Sequence, residues 1–181
     1  MSGMRDQADG MSSHPRLTWI VDQLALRPTD DVLEIGCGHG VAATIVLGRL
    51  TAGGYVGLDR SPAMIAACTR RNHTDVVAGR ALMVCGAVPD ADLGGRTFDR
   101  VFAARVASMS SPAGFAFAAR HLAPGGTLVL AFDSPHPSRA RDQAAIAVAN
   151  LGRHGFGSVR STSGQAGGAE VACVVATAPG A

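Results

Sequence analysis

The stretch that decides the fold is Val32-Leu33-Glu34-Ile35-Gly36-Cys37-Gly38-His39-Gly40. A short, mainly apolar run, Val32–Ile35, passes directly into a loop with glycine at alternate positions, and an apolar-periodic segment, Gly40–Leu50, follows. That order predicts a buried strand, a tight turn and a helix. Glycine in such a turn permits positive φ and lets a ligand approach the backbone with no Cβ in the way. The helix predicted beyond it would aim free N–H groups at an anionic ligand.

Downstream the alternation continues. Tyr55–Leu58 reads as a strand ending at Asp59, and Ser61-Pro62 as the cap and first position of a helix to about Asn72. Ala81–Cys85 and Val101–Ala104 read as strands three and four, the latter entered through Phe98-Asp99. Ser111-Pro112 opens a helix ending near Leu122, and Pro124-Gly125-Gly126 turns into a strand over Thr127–Phe132. A helix from about Ser138 to Leu151 precedes two late strands, Phe156–Ser161 and Val171–Thr177. Gly/Ser-rich Thr162–Gly168 between those strands is too short for a crossover helix, so they are expected to pair as an antiparallel hairpin.

Upstream, Leu17, Ile20, Val21 and Leu24 recur at helical spacing within Arg16–Leu26, and polar Met1–Ser13 is expected to be flexible. The whole predicts an α/β fold: a doubly wound, Rossmann-like, seven-stranded sheet, mainly parallel with an antiparallel C-terminal hairpin. Residues 14–181 are expected to form one domain.

In doubly wound sheets ligands sit outside the carboxyl ends of the strands. Asp59 lies at such an end, nineteen residues beyond Gly40. A carboxylate there can accept two hydrogen bonds from vicinal ribose hydroxyls, charge-assisted bonds worth roughly 1.5–3 kcal/mol each. These residues point to an adenosine-containing ligand.

The same residues carry a family resemblance. Glu34, Gly36, Gly38 and Gly40 resemble the acidic-x-Gly-x-Gly-x-Gly motif of class I S-adenosylmethionine-dependent methyltransferases. Tyr55–Met64 is similar to that family's second motif, Phe98–Ala103 to its fourth-strand motif, and Leu122–Leu128 to the turn before its fifth strand. Four motifs in register over about residues 28 to 133 make the signal specific. The resemblance implies S-adenosyl-L-methionine as cofactor, with Asp59 on the ribose and Gly36, Cys37, Gly38 and Gly40 against the methionyl and ribose portions. It implies that Glu34 helps position the methionyl amino group, with Arg60 and Met64 flanking the second motif's acid. Gly86, Ala87 and Val88 would frame the adenine. Gly86 stands where the family often has an aspartate, so adenine recognition would rest on backbone groups and apolar contact. Ala104 and Arg105, with Val106, would lie beneath the transferring methyl.

Composition narrows the chemistry. Reading the 181 residues finds no lysine, so all 16 basic residues are arginine. That removes a Schiff-base lysine, a P-loop lysine and the Tyr-x-x-x-Lys pair of short-chain dehydrogenases. The arginines are scattered and the net charge is only +2, which argues against a nucleic-acid partner. No apolar run reaches the ~18 residues of a membrane span. Cys37, Cys68, Cys85 and Cys173 form no C-x-x-C pair and read as reduced thiols of a cytoplasmic protein. No His/Cys/carboxylate cluster has metal-ligand spacing, so no metal is expected.

The acceptor is constrained mainly by what is missing. Ala103-Ala104-Arg105-Val106 is not the Asn/Asp-Pro-Pro-aromatic motif of amino-methylating nucleic-acid enzymes, and no Pro-Cys dipeptide is present. A small-molecule acceptor is the expectation. Closure of its pocket falls to residues 1 to 27, to the loop after Asp133, or to a second subunit in a homodimer. A cation beside a sulfonium is unfavourable, so Arg105 either binds a carboxylate or points to solvent. Asp133, His136 and His14 are the candidate general bases, although Asp133-Ser134-Pro135-His136-Pro137 equally suits a cap-and-turn role. Two other readings stay open. One is a non-catalytic module that binds S-adenosylmethionine. The other is a nicotinamide-dependent oxidoreductase, because Gly38-x-Gly40-x-x-Ala43 fits a relaxed dinucleotide fingerprint.

Overall fold

A computed structural model describes residues 14–136 and 138–179, so the expectation for residues 1–13 lies outside the described residues. Seven strands form one sheet: β1 (Val32–Ile35), β2 (Tyr55–Asp59), β3 (Ala81–Cys85), β4 (Phe98–Ala104), β5 (Leu122–Ser134), β6 (Gly157–Ala166) and β7 (Ala169–Thr177). Their order is β3-β2-β1-β4-β5-β7-β6. The first five run parallel, and β7 lies antiparallel to both of its neighbours. The α/β class, the mainly parallel sheet and the C-terminal hairpin are as read from the sequence.

Helices cover both faces: α1 (Pro15–Asp22), α2 (Val41–Leu47), α3 (Pro62–Arg71), α4 (His73–Val77), α5 (Pro112–His121) and α6 (Arg139–Arg153). All four β1 residues, Glu34 included, are buried because the strand is covered on both sides. The pleat sends Leu33, Ile35, Val101 and Leu128 to a core completed by Phe115 and Phe117 of α5 and Ala144 and Leu151 of α6. Val32, Phe102, Val129 and Cys173 go to the opposite core, closed by Ile20 and Val21 of α1 and Ile45 and Val46 of α2.

Local chemistry sets the helix starts. Ser61 and Ser111 each accept an N–H bond three residues on, from Met64 at 3.4 Å and Gly114 at 3.1 Å, with Pro62 and Pro112 following each cap. At the amino ends of β1 and β4, buried Asp30 accepts from the Arg27 N–H at 2.9 Å and pairs with Arg100 at 3.2 Å. This clasp fastens the end of the sheet opposite the glycine loop.

Four elements differ from expectation. The first helix stops at Asp22, before Ala25 takes a φ of +47°, yet Leu24 still packs in the core. Asn72, expected as a helix end, also starts the short α4. The Pro124-Gly125-Gly126 bend is absorbed inside β5, where the pairing with β4 jumps between Phe98 and Arg100. Finally, β6 continues to Ala166 through most of the segment expected as loop, and only Gly167-Gly168, both at positive φ, make the turn. Ser and Thr there form a largely exposed edge strand, and a polar edge has the composition of a loop.

Candidate active site

The strand order reverses between β1 and β4, and a crevice opens there beyond the carboxyl ends. Its volume is about 420 Å³. The ends of β1 and β2 bring Ile35, Gly36, Leu58, Asp59 and Arg60 to it, and the segment after β3 brings Gly86, Ala87 and Val88. The end of β4 and the 3-10 turn that follows (Ala107–Ser110) supply the rest, from Ala104 to Ser108. These strand ends lie level because Ile35 pairs with both Leu58 and Ala103, and Asp59 with Cys85.

Backbone geometry shapes the loop. Gly36 has a φ of +78°, and a Cβ there would stand 2.5 Å from Val106 Cγ2. Glycine therefore lets the β1 end pass close to the wall formed after β4. The Gly36 and Cys37 N–H groups both donate to the Leu58 carbonyl, at 2.7 and 3.0 Å. Asp59 is held on both carboxylate oxygens: the Gly38 N–H donates to Oδ2 at 3.0 Å, and the Ser61 N–H to Oδ1 at 2.9 Å. An ionised carboxylate has about four acceptor sites, so each oxygen keeps a lone pair free. Gly86 donates its N–H to the Asp59 carbonyl at 3.0 Å, tying the third wall to the second.

Of the expected cofactor residues, Gly36, Asp59, Arg60, Gly86, Ala87, Val88, Ala104 and Arg105 come together around this cavity. Glu34, Cys37, Gly38, Gly40 and Met64 are outside its lining. The pleat turns Glu34 away, into the opposite side of β1, where the Tyr55 hydroxyl donates to its Oε2 at 2.5 Å. Cys37 is buried, with its sulfur against Gly57; the neighbouring Cys68 thiol and burial push its own thiol up. Gly38 meets the site through its bond to Asp59, and Gly40 is covered by Cys68 and Asn72. Met64 lies in the first turn of α3, where its N–H goes to the Ser61 cap. Ile35, Leu58, Ala107 and Ser108 were not anticipated. Leu58 and Ile35 could have been found by counting back from Asp59 and Gly36, but nothing local marked the turn after β4.

Burial raises the Glu34 carboxyl to about 8, with the Tyr55 hydrogen bond opposing the shift. The unfolded chain releases this proton near 4.5 and the native state holds it until about 8, so the native state binds more protons in that window. Stability from this group is complete below about 4.5 and declines as pH rises to about 8, by at most about 1.4 kcal/mol per pH unit. Urea midpoints at pH 5 and pH 8 should separate more for wild type than for Glu34→Gln; equal separations would place the titration elsewhere.

A second cavity of about 250 Å³ adjoins the first, sharing Ala104 and Arg105. His14, Pro15, Arg16, Leu17 and Ile20 line one side, and Asp133 and Gly167 the other. Two candidate bases, His14 and Asp133, therefore share a cavity. His136 is exposed, lines neither space, and donates its backbone N–H to Ser134 Oγ at 3.1 Å. Asp133 is paired on both oxygens: Arg16 Nη1 lies 3.0 Å from Oδ2 and Arg105 Nε 3.2 Å from Oδ1.

Residues 32–126 match the model of the methyltransferase domain family, and the chain belongs to that family. A curated relative, "Probable phthiotriol/phenolphthiotriol dimycocerosates methyltransferase 2" of Mycobacterium ulcerans (strain Agy99), is 32% identical over 125 residues, 66% of this chain and 46% of that protein. The chain thus spans about half the length of the curated relative it matches. Among solved structures, a methyltransferase from Pyrococcus furiosus superposes with a TM-score of 0.68 at 17% identity, over 89% of this chain and 80% of its own. The geranyl diphosphate C-methyltransferase of Streptomyces coelicolor A3(2), in complex with Mg2+, geranyl diphosphate and S-adenosyl-L-homocysteine, gives 0.68 at 12% identity, over 90% of this chain and 79% of that one. At these identities the likeness is one of fold.

Proposed function

We propose that residues 14–181 form one methyltransferase domain, which binds S-adenosyl-L-methionine in the 420 Å³ cavity and methylates a small-molecule acceptor. Asp59 carries this reading. Its carboxylate stands at the end of β2 beside the glycine loop, fixed by two backbone N–H groups yet retaining acceptor capacity for a ribose diol. The residues present fit the cofactor in other respects. The volume is within the ~300–1,000 Å³ usual for such sites. Gly86, Ala87 and Val88 offer backbone groups and an apolar side chain where a base would lie. The family match and the S-adenosyl-L-homocysteine in the Streptomyces structure support the choice.

Held by Asp59 and the glycine loop, the cofactor would supply a methyl group already activated on its sulfonium. The protein's task is then to hold the acceptor in line, and positioning of that kind contributes roughly 7–11 kcal/mol without a covalent intermediate. Val106, Ala107 and Ser108 wall the cofactor cavity, and Ala104 and Arg105 stand where the two cavities meet. A base is required only for an acceptor that carries a proton at working pH.

Calorimetric titration with S-adenosyl-L-homocysteine and, separately, NADH tests the reading. The thioether is expected to bind with one-to-one stoichiometry and NADH to give no heat. Binding of NADH alone would transfer the site to oxidoreductase chemistry. Thioether binding with no product from any acceptor in a broad panel would favour a binding module. Among the described residues no helix is long and apolar enough to cross a membrane.

A further inference from the structure

Resting on the reading above, we propose that the second cavity is the acceptor site and that it selects acceptors bearing a carboxylate or phosphate group, through Arg16 and Arg105. Its position is the first ground. It shares Ala104 and Arg105 with the cofactor cavity, so an occupant lies beside the end of β4, next to the space assigned to the cofactor. The wall opposite is α1, which presents Leu17 and Ile20 to the cavity between the polar groups at its rim.

Charge is the second ground. Two guanidiniums share one carboxylate, leaving an uncompensated positive charge at the cavity. Asp133 is nearly enclosed, its side chain 8% exposed, whereas Arg16 and Arg105 remain 45% and 68% exposed. Each arginine has five N–H donors in a planar fork; Arg16 spends one on Asp133 while Arg105 only ion-pairs with it, and neither has another ion-pair partner among the described residues. The remaining donors suit a planar or tetrahedral oxyanion. Asp133 Oδ1 receives no well-formed hydrogen bond from Arg105 despite the 3.2 Å approach, so that guanidinium is steered by charge and free to turn toward a ligand.

Backbone conformation is the third ground. Arg105 is a non-glycine residue at φ +57°, held there by its N–H bond of 3.0 Å to the Ala131 carbonyl. Such conformations persist where the surrounding structure imposes them, and they cluster at ligand clamps. Asp133 also eases a conflict: the Arg105 charge would oppose a neighbouring sulfonium, and the carboxylate it shares with Arg16 offsets part of that repulsion.

The test uses protein saturated with S-adenosyl-L-homocysteine and, as probes, benzoate, phenyl phosphate and the uncharged benzamide, followed by ligand-observed NMR titration. One or both anions should bind at least about tenfold more tightly than benzamide, as expected of charge-assisted hydrogen bonds, and the preferred anion tells carboxylate from phosphate. Arg16→Gln should weaken anion binding about fivefold or more while leaving thioether affinity unchanged, because Arg16 does not line the cofactor cavity. Asp133→Asn, which frees both guanidiniums from a charged partner, should strengthen it. Benzamide binding as well as the anions, or indifference of both anions to Arg16→Gln, would overturn the proposal. Absence of thioether binding would instead remove the functional reading on which it rests.

Discussion

Asp59→Ala is expected to bind S-adenosyl-L-homocysteine about thirtyfold more weakly than wild type, a loss of about 2 kcal/mol. Two charge-assisted bonds to the ribose hydroxyls would disappear, each worth roughly 1.5–3 kcal/mol before water replaces part of it. The substitution also removes the acceptor for the Gly38 and Ser61 N–H groups, which loosens the loop as well as the ligand. A double-mutant cycle separates the two effects. The 2′-deoxy analogue of the thioether should bind wild type more weakly than the parent compound, and Asp59→Ala should no longer tell the two apart. If the variant keeps the wild-type preference between them, Asp59 is a loop latch and not the ribose ligand. Asparagine is a poor control here, because one of the two donating N–H groups would face an amide NH₂.

Gly40→Ala should lower stability by about 3 kcal/mol, measured as the unfolding free energy in urea. Gly40 sits at φ +81°, where an L side chain carries a penalty of about 1–2 kcal/mol. The added Cβ would also stand 2.5 Å from Cys68 Sγ, 2.6 Å from Asn72 Nδ2 and 3.0 Å from the Cys68 Cα. The side chains could turn aside, but the backbone carbon cannot. Asn72 is also committed, since it donates to the Gly40 and Cys68 carbonyls at 3.1 Å each and accepts from Thr44 Oγ1 at 2.8 Å. Overpacking of this kind typically costs about 1–3 kcal/mol. By contrast, a Cβ on Gly38 meets nothing within 4 Å, so Gly38→Ala should show the penalty for φ alone. Equal losses at the two positions would mean that α3 shifts freely and the crowding around Gly40 has no energetic weight.

Much of this architecture was legible locally. Each Ser-Pro pair marks a helix start through one hydroxyl and one fixed φ, and both pairs were found where they were read. The glycine run after β1 is likewise a statement about φ: Gly36, Gly38 and Gly40 all lie in the left-handed region. Illegible were the features made by residues far apart in sequence. Tyr55 satisfies Glu34 across twenty-one positions, and so draws into the interior a carboxyl expected at the ligand. Arg16 reaches Asp133 across 117 positions, which only the folded sheet makes neighbours. Loop composition misled once, at β6, because a solvent-facing strand and a connecting segment favour the same polar residues. The family resemblance pointed to Asp59 and to the Gly86, Ala87 and Val88 wall of the cavity, whereas the 3-10 turn after β4 carries no pattern that would identify it.

The placement of β7 has a bearing on assembly of the chain. Among the described residues the last strand is not an outer one: β7 is wedged between β5 and β6, and no other described strand pairs with β6. Until residues 169–177 arrive, the 157–166 segment has nothing to ladder against, and β5 exposes a bare rim. β6 can therefore join the sheet only with or after β7, whose pairing with β5 is between segments distant in sequence and slow to nucleate. Nascent chain emerging from the ribosome would pass through a stage in which five parallel strands stand complete on one flank and open on the other.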